Sequence, residues 1–477
     1  MWIQLPQRRA TLALAGSVIA VLSGCASISP EQSIGRVNND VAAFAEGKLV
    51  LARSAEERQQ HTETARKLLS APLGQKEAVA LALVNSQALQ ALLAQGWAES
   101  AEAAQSGRIA NPVFGFERIV AGDELELGRA LSFGLLDLLT LPARQQIAST
   151  RMELAQLRLA GEVVDHVTRV RQAWVRAVAA QQTHQYAQQV FQSAEASAEL
   201  ARRMQSIGNF SRLSRAREQV FFADAATRLA TARHQAISSR EELVRLLGLD
   251  ASQAHMLLLP DRLPDLPRQA LDPQAVGALA TQARLDIRLA QNALNAAGKA
   301  QSLTVVTSMT DIEMTVRRDT QFDSAAGARS NSRGYEIGVR LPLFDWGSMQ
   351  RDAWNARTLA AASQLEATVR SAASNLRENY SAYRTALDIA RHHRDEVIPL
   401  RKLISEENQL RYNGMIIGVF ELLADARDQI NTVMATISAE QQFWLAEAAL
   451  QASLIGRPTN ASLSAVSPVP GSDGEAH

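Results

Sequence analysis

The sequence predicts a mainly α-helical chain that also carries membrane β-strands, and three observations predict it. Residues 142–206 and 348–413 read as very long helices with almost no breaker. Two pairs of short segments alternate apolar and polar residues at the period of a strand. The order helix, strand, loop, strand, long helix, turn, helix occurs twice, so the chain is an internal duplication.

The N-terminus comes first. Arg8 and Arg9 precede an apolar run from Ala10 to Leu22, which ends in Leu22-Ser23-Gly24-Cys25. A positive patch, a short apolar core and small residues before a cleavage point describe a secretory signal. The run falls short of the ~20 residues that span a bilayer. Leu-Ser-Gly-Cys resembles the bacterial lipobox, which implies cleavage before Cys25 and acylation of that residue by diacylglycerol and a further chain such as palmitate. More than one acyl chain gives stable anchoring. Cys25 is the only cysteine, which excludes an intramolecular disulfide. Ala26 follows it, where lipoproteins kept in the inner membrane commonly have Asp, so an outer-membrane anchor is expected. Residues 1–24 are thus read as signal peptide and 25–75 as a lipidated linker.

The 49 basic and 49 acidic residues balance, which leaves no electrostatic footprint for nucleic acid. Aromatics are only 5%, as suits long helices packed through small side chains. The first repeat, residues 76–259, is expected to open with a helix over Lys76–Ser106. Phe114 and Phe116 belong to one strand, and Leu131, Phe133 and Leu135 to its partner. Ala121-Gly122-Asp123-Glu124 is the polar loop between them. The long helix over Pro142–Ser206 would reach roughly 100 Å at 1.5 Å per residue. Val163, Val167, Val170, Trp174 and Ala177 keep heptad spacing, an a/d seam of a left-handed coiled coil. A shorter helix over Arg212–Leu247 follows. Pro260, Pro264, Pro267 and Pro273 mark a connection over residues 260–272, where proline keeps helices from running together.

The second repeat, residues 273–456, repeats the plan: a helix over Pro273–Ala300, strands, a long helix over Ser348–Asn413 whose only internal proline is Pro399, and a helix over Glu421–Ile455. Ile312, Met314 and Val316 alternate with Asp311, Glu313 and Thr315. Tyr335, Ile337, Val339, Leu341 and Leu343 alternate with Glu336, Gly338, Arg340 and Pro342, with a polar loop expected over Phe322–Ser332. Such alternation fits a membrane barrel with lipid outside and water inside, and equally an amphipathic hairpin packed on a helix. Ile207-Gly208-Asn209-Phe210 and Ile417-Gly418-Val419-Phe420 follow the two long helices, and Ala216-Arg217-Glu218-Gln219 matches Ala426-Arg427-Asp428-Gln429 at the same offset. Residues 457–477 are read as a flexible tail.

From Cys25 to about Gly456 this order resembles the TolC-type outer-membrane efflux factors, in their lipoprotein branch. The most family-like segments are Leu341-Pro342-Leu343-Phe344-Asp345-Trp346-Gly347, Arg411-Tyr412-Asn413-Gly414 and the paired turns with Ala-Arg-acid-Gln beyond them. The first junction departs from the pattern, reading Leu139-Thr140-Leu141-Pro142-Ala143-Arg144. The resemblance implies a homotrimer, in which each chain gives four strands to a twelve-stranded barrel and four helical columns to a periplasmic tunnel. Four strands cannot close a pore alone, and lipid tolerates no open edges. Thr140 and Asp345 are expected to cap the long helices, with Pro142 in the first turn and Trp346 at the membrane interface.

The resemblance further implies that the turns Ile207, Gly208, Asn209, Phe210 and Ile417, Gly418, Val419, Phe420 are periplasmic tips that meet an adaptor (a membrane fusion protein) linked to an inner-membrane pump. Glycine there would allow a tight reversal or simply stop a helix. Glu421, Asp425 and Asp428 lie where a tunnel constriction would form, since acid rings favour cations, and they equally suit a solvated helix face. The expected function is passive export of small solutes such as drugs, toxic compounds or metal ions. The alternative is a lipid-anchored coiled-coil structural or adaptor lipoprotein, although adaptors usually have one helical hairpin. No enzymatic motif, cofactor site or metal cluster is evident in the sequence. His392 and His393 are adjacent and point apart on a helix, and Met309, Met314 and Met349 fit soft-metal export or, as methionine more often does, apolar gap-filling.

Overall fold

The computed structural model describes residues 29–273, 284–307, 310–323 and 325–459. Helix α1 (Pro30–Ala45) and α2 (Ala55–Leu68) come first, within the segment expected as linker. Ser54 and Glu57 form a capping box at the start of α2, a start signal present in the sequence. Val37, Val41 and Phe44 of α1 are buried. The expected helix Lys76–Ser106 is two helices, α3 (Gln75–Asn85) and α4 (Gln87–Gln105), bent by 56°. The break has a cause elsewhere in the chain. A Cβ added to Gly248 would sit 2.8 Å from both the Asn85 carbonyl oxygen and the Ser86 Cα, so backbone presses on backbone there. Asn85 Nδ2 also donates to the Leu247 and Gly248 carbonyls.

Strands β1 (Val113–Ala121) and β2 (Glu124–Gly134) lead through the short α5 (Leu135–Leu139) into α6 (Leu141–Ser206), a single helix of 66 residues. α7 (Arg212–Leu247) and α8 (Ala251–Met256) follow. In the second copy, α9 is described over Leu285–Thr307, so the first part of the expected Pro273–Ala300 helix lies outside the described residues. β3 (Ile312–Asp323) and β4 (Ala328–Val339) are longer toward their turn than expected, so that of the loop read over 322–332 only 325–327 are described as turn. α10 (Ser348–His392) passes through a π turn (His393–Val397) into α11 (Ile398–Asn413), and α12 (Val419–Leu454) closes the described chain.

The π turn explains itself from the sequence. Pro399 lacks an N–H, and in a regular helix its ring would meet the carbonyl four residues earlier. One wider turn just before it, with Ile398 N–H reaching back to the His393 carbonyl, absorbs that misfit. Two expected caps differ from the structure. Thr140 Oγ1 turns back to donate to the Leu136 carbonyl, ending α5 instead of capping α6. Asp345 Oδ1 accepts from Gly347 N–H at 2.8 Å, a turn ahead of α10.

The chain forms two compact units that each draw on both copies. One contains Gln95–Gln156 and Asn292–Leu359, and therefore all four strands. The other contains Asn38–Ala94, Leu157–Gln291 and the chain from Ala360. Its core holds the whole predicted seam: Val163, Val167, Val170, Trp174 and Ala177 are all buried. Trp174 Nε1 donates to the Leu73 carbonyl at 2.7 Å, which satisfies its one polar atom. The Pro-rich connection is pinned in this unit. Leu266 packs with Tyr383, Leu387 and Phe443, and Arg391 Nη2 donates to the Pro267 carbonyl at 2.7 Å. Arg457, expected to begin a free tail, is held by Asp165.

Candidate functional site: a two-faced sheet and two helical turns

The strands pair in sequence order β1-β2-β3-β4, every pair antiparallel. Because side chains alternate, the register sorts them onto two faces. On one face lie Phe114, Phe116, Leu131, Phe133, Ile312, Met314, Val316, Tyr335, Ile337 and Val339. This is the set the sequence assigns to lipid, except Leu135, Leu341 and Leu343, which lie beyond the strands. Much of it is open to the surroundings, Tyr335 being 74% exposed. The opposite face carries Glu117, Glu124, Glu126, Glu313, Asp319, Asp323 and Glu336, together with Ser132 and Thr315, which share a 2.8 Å hydrogen bond. Arg317 is held there between Asp319 and Glu117. Apolar and charged faces on one sheet, with β1 and β4 as its edges, define a wall between an apolar medium and water. Among the described residues no single helix is long and apolar enough to cross a membrane.

The same register places five arginines on the apolar face, which the sequence reading did not pick out. Arg129, Arg318 and Arg333 lie directly opposite one another across β2, β3 and β4. Arg118 and Arg329 lie closer to the hairpin turns. Aligning the strands by register, with the turn at Gly122-Asp123, would have revealed them.

The two helical turns are built alike. After α6, Gly208 N–H bonds to the Gln205 carbonyl and Asn209 N–H to that of Met204; after α11, Met415 bonds to Tyr412 and Ile416 to Arg411. This is the Schellman ending, in which one residue adopts the left-handed conformation. In the first turn that residue is Gly208, φ 84°; in the second it is Met415, φ 59°. Gly418 has extended backbone, φ −83° and ψ 164°, at the start of α12, where the first copy has Ser211. Leu141 therefore matches Ser348, Gly208 matches Met415 and Leu247 matches Leu454. The sequence pairing of Ile207-Gly208 with Ile417-Gly418 is out of step by three residues, and the expected sharp reversal at Gly418 is found at Met415 instead. Ile207, Asn209 and Ile416 are exposed; Met415 is 93% exposed. Phe210 and Ile417 are partly covered, and Val419 opens α12 beside Phe420.

The structural pairing also matches Glu218 with Asp425, both buried. Glu218 accepts from Arg427 Nη2 at 2.8 Å, and Arg427 lies over the Phe221 ring. Asp425 Oδ2 is buried with no hydrogen-bond partner. Of the three expected constriction acids, Glu421 is exposed, Asp428 is half-exposed and paired with Arg401 at 3.3 Å, and Asp425 is closed off within its own chain. No group of three metal-ligating side chains occurs among the described residues, and Cys25 lies outside them.

No protein-family model and no curated protein sequence matches the chain. Solved structures do. A membrane protein from Pseudomonas aeruginosa superposes with a TM-score of 0.67 at 19% identity, covering 82% of this chain and 93% of its own. The CmeC outer membrane channel of Campylobacter jejuni gives 0.66 at 13%, covering 87% and 91%. The outer membrane protein VceC of Vibrio cholerae gives 0.65 at 16%, covering 85% and 99%. The chain thus has the fold of the TolC-type outer-membrane efflux channels: long helices joined to a four-stranded sheet.

Proposed function

We propose that this chain is the outer-membrane channel subunit of a tripartite efflux system, a passive duct for small solutes driven by an inner-membrane pump through a periplasmic adaptor. The observation that carries the reading is the two-faced sheet with both edge strands unpaired. In lipid, β1 of one chain must pair with β4 of another, so the barrel closes only in an oligomer. Three copies give the twelve strands that the TolC-type resemblance implies. The fold shared with outer-membrane channels supports that location, with the helices in the periplasm. Cys25 is the proposed lipid anchor. The turns around Gly208 and Met415 are the proposed adaptor contacts, and Glu421 and Asp428 are the acids available to a constriction. The test is detergent extraction followed by size measurement and single-channel recording. A conducting trimer is expected; a water-soluble monomer without conductance would overturn the reading.

A further inference from the structure

The arginines on the apolar face have no place in a plain lipid-facing wall. Arg129, Arg318 and Arg333 are direct cross-strand neighbours. Side chains so placed have Cβ atoms roughly 5 Å apart, and like charges there repel. The sheet provides no counter-charge, because every acid on the four strands lies on the opposite face. Arg118, Arg318 and Arg333 are exposed and make no ion pair among the described residues. Arg129 spends one nitrogen on Thr320 Oγ1 at 2.8 Å, and its Nε is buried without a partner. Arg329 stacks over the Phe322 ring, which leaves its N–H edge free to bind.

The position along the strands matters as much as the charge. The row that pairs Ile312 with Val339 lies at the helix-connected end, and every residue on this face up to Val316 and Tyr335 is apolar. The arginine row comes next, six residues from Ile312, roughly 20 Å along the strand. The hairpin turns lie farther on. A lipid-facing arginine is costly at mid-depth and nearly free at the interface. If the helices are periplasmic, as proposed above, strands tilted by about 40° carry the arginines past mid-depth, into the outer-leaflet half of the barrel.

We infer that Arg118, Arg129, Arg318, Arg329 and Arg333 form an outward-facing site for the phosphates of an anionic glycolipid in the outer leaflet. Guanidinium groups bind phosphate oxygens in pairs, and one bridging phosphate relieves the repulsion within a row. The adjacent Phe114, Phe116, Val316 and Tyr335 offer apolar surface to the acyl chains of the same lipid.

The inference rests on the barrel reading, and the test separates the two. Full-length protein and the Arg129→Gln/Arg318→Gln/Arg333→Gln variant are purified in a zwitterionic detergent. Binding of fluorescent bisphosphorylated lipid A is measured, with dephosphorylated lipid A and inorganic phosphate as competitors. Insertion of both proteins into phosphatidylcholine vesicles is followed by protease protection of the strands. The expected result is normal insertion of both, with the variant binding the lipid about tenfold more weakly or less. Phosphorylated lipid should compete far better than dephosphorylated lipid. A variant with Arg318→Lys and Arg333→Lys should keep intermediate affinity, because charge survives without the paired geometry. Equal binding by wild type and the glutamine variant, both inserted, overturns this inference alone. Competition by inorganic phosphate as strong as by the lipid overturns the lipid assignment. Failure of the wild type to insert overturns the barrel reading and this inference with it.

Discussion

Substituting valine at the two turn glycines separates the structural pairing of the repeats from the pairing by sequence motif. Gly208 holds φ 84° with nothing within 4 Å of an added Cβ, so the penalty is backbone strain and not a clash. A side chain in the left-handed region costs roughly 1–2 kcal/mol, and a β-branched one is the worst case. Gly418, at φ −83° and ψ 164° with equally open space, suits valine. Gly208→Val should therefore speed local opening of the first turn by a factor of about 5–30, while Gly418→Val changes little. Met415→Gly relieves about 1 kcal/mol of strain, and glycine's freedom in the unfolded chain takes back ~0.4–1 kcal/mol, leaving a small gain at most. The assay is native-state hydrogen exchange at Asn209 and Ile416, whose amides close the two endings. Equal acceleration by the two valines would refute the pairing of Gly208 with Met415. Adaptor crosslinking in the same cells should fall for Gly208→Val and stay normal for Gly418→Val.

Other perturbations have equally definite outcomes. Cys25→Ala should abolish incorporation of labelled palmitate and leave a precursor of higher mass; labelled mutant protein would show that the anchor is elsewhere. Ile337→Lys should impair membrane insertion, at a cost of roughly 2–4 kcal/mol, far more than Gly338→Lys on the charged face, as read by the assembled oligomer on gels. Burial pushes the Glu447 carboxyl up to about 7 from 4.5, against the attraction of Arg171. The folded chain then holds a proton that the unfolded chain has released, so stability should fall as pH rises from ~4.5 to ~7 and level off above. Glu447→Gln should remove up to roughly 3 kcal/mol of that decline. An unchanged pH profile of the melting midpoint in detergent would exclude Glu447 as its source.

Much of the fold was legible because long-period patterns record it. The Val163–Ala177 seam needs no distant partner to be recognised, and helix Arg212–Leu247 has its observed bounds. The faces of β2, β3 and β4 followed from alternation alone, since each sets its apolar residues near the helices opposite its acidic ones, whereas β1 carries Val113 and Ile119 on the same face as Glu117. Features set by distant contacts stayed hidden. The break at Ser86 depends on Gly248 pressing from another element. The ends of β3 and β4 were read as loop because Arg329, Ser330, Asn331, Ser332 and Arg333 are polar on both faces, which erases the alternation. The turn residues were mismatched because shared letters, Ile-Gly and Ala-Arg-acid-Gln, are a weaker guide than helix length. The arginine row was invisible until register brought three strands side by side.

The π turn bears on what the duplication can do. The two copies match residue for residue from the start of the long helix to the end of the next, so neither has gained or lost a position. Yet one copy takes a single wide turn where the other stays regular, which sets everything after it back by about one residue, or ~100° of rotation. Ala194 and Ala201 are buried near the end of α6, whereas α11 buries no residue. Pro399 thus acts as a phase shifter: two hairpins cut to one length present unlike sides as they approach their turns. A partner that meets both turns meets two different surfaces, and in the proposed trimer a ring alternating the copies would keep threefold symmetry and lose the sixfold that equal lengths alone would allow.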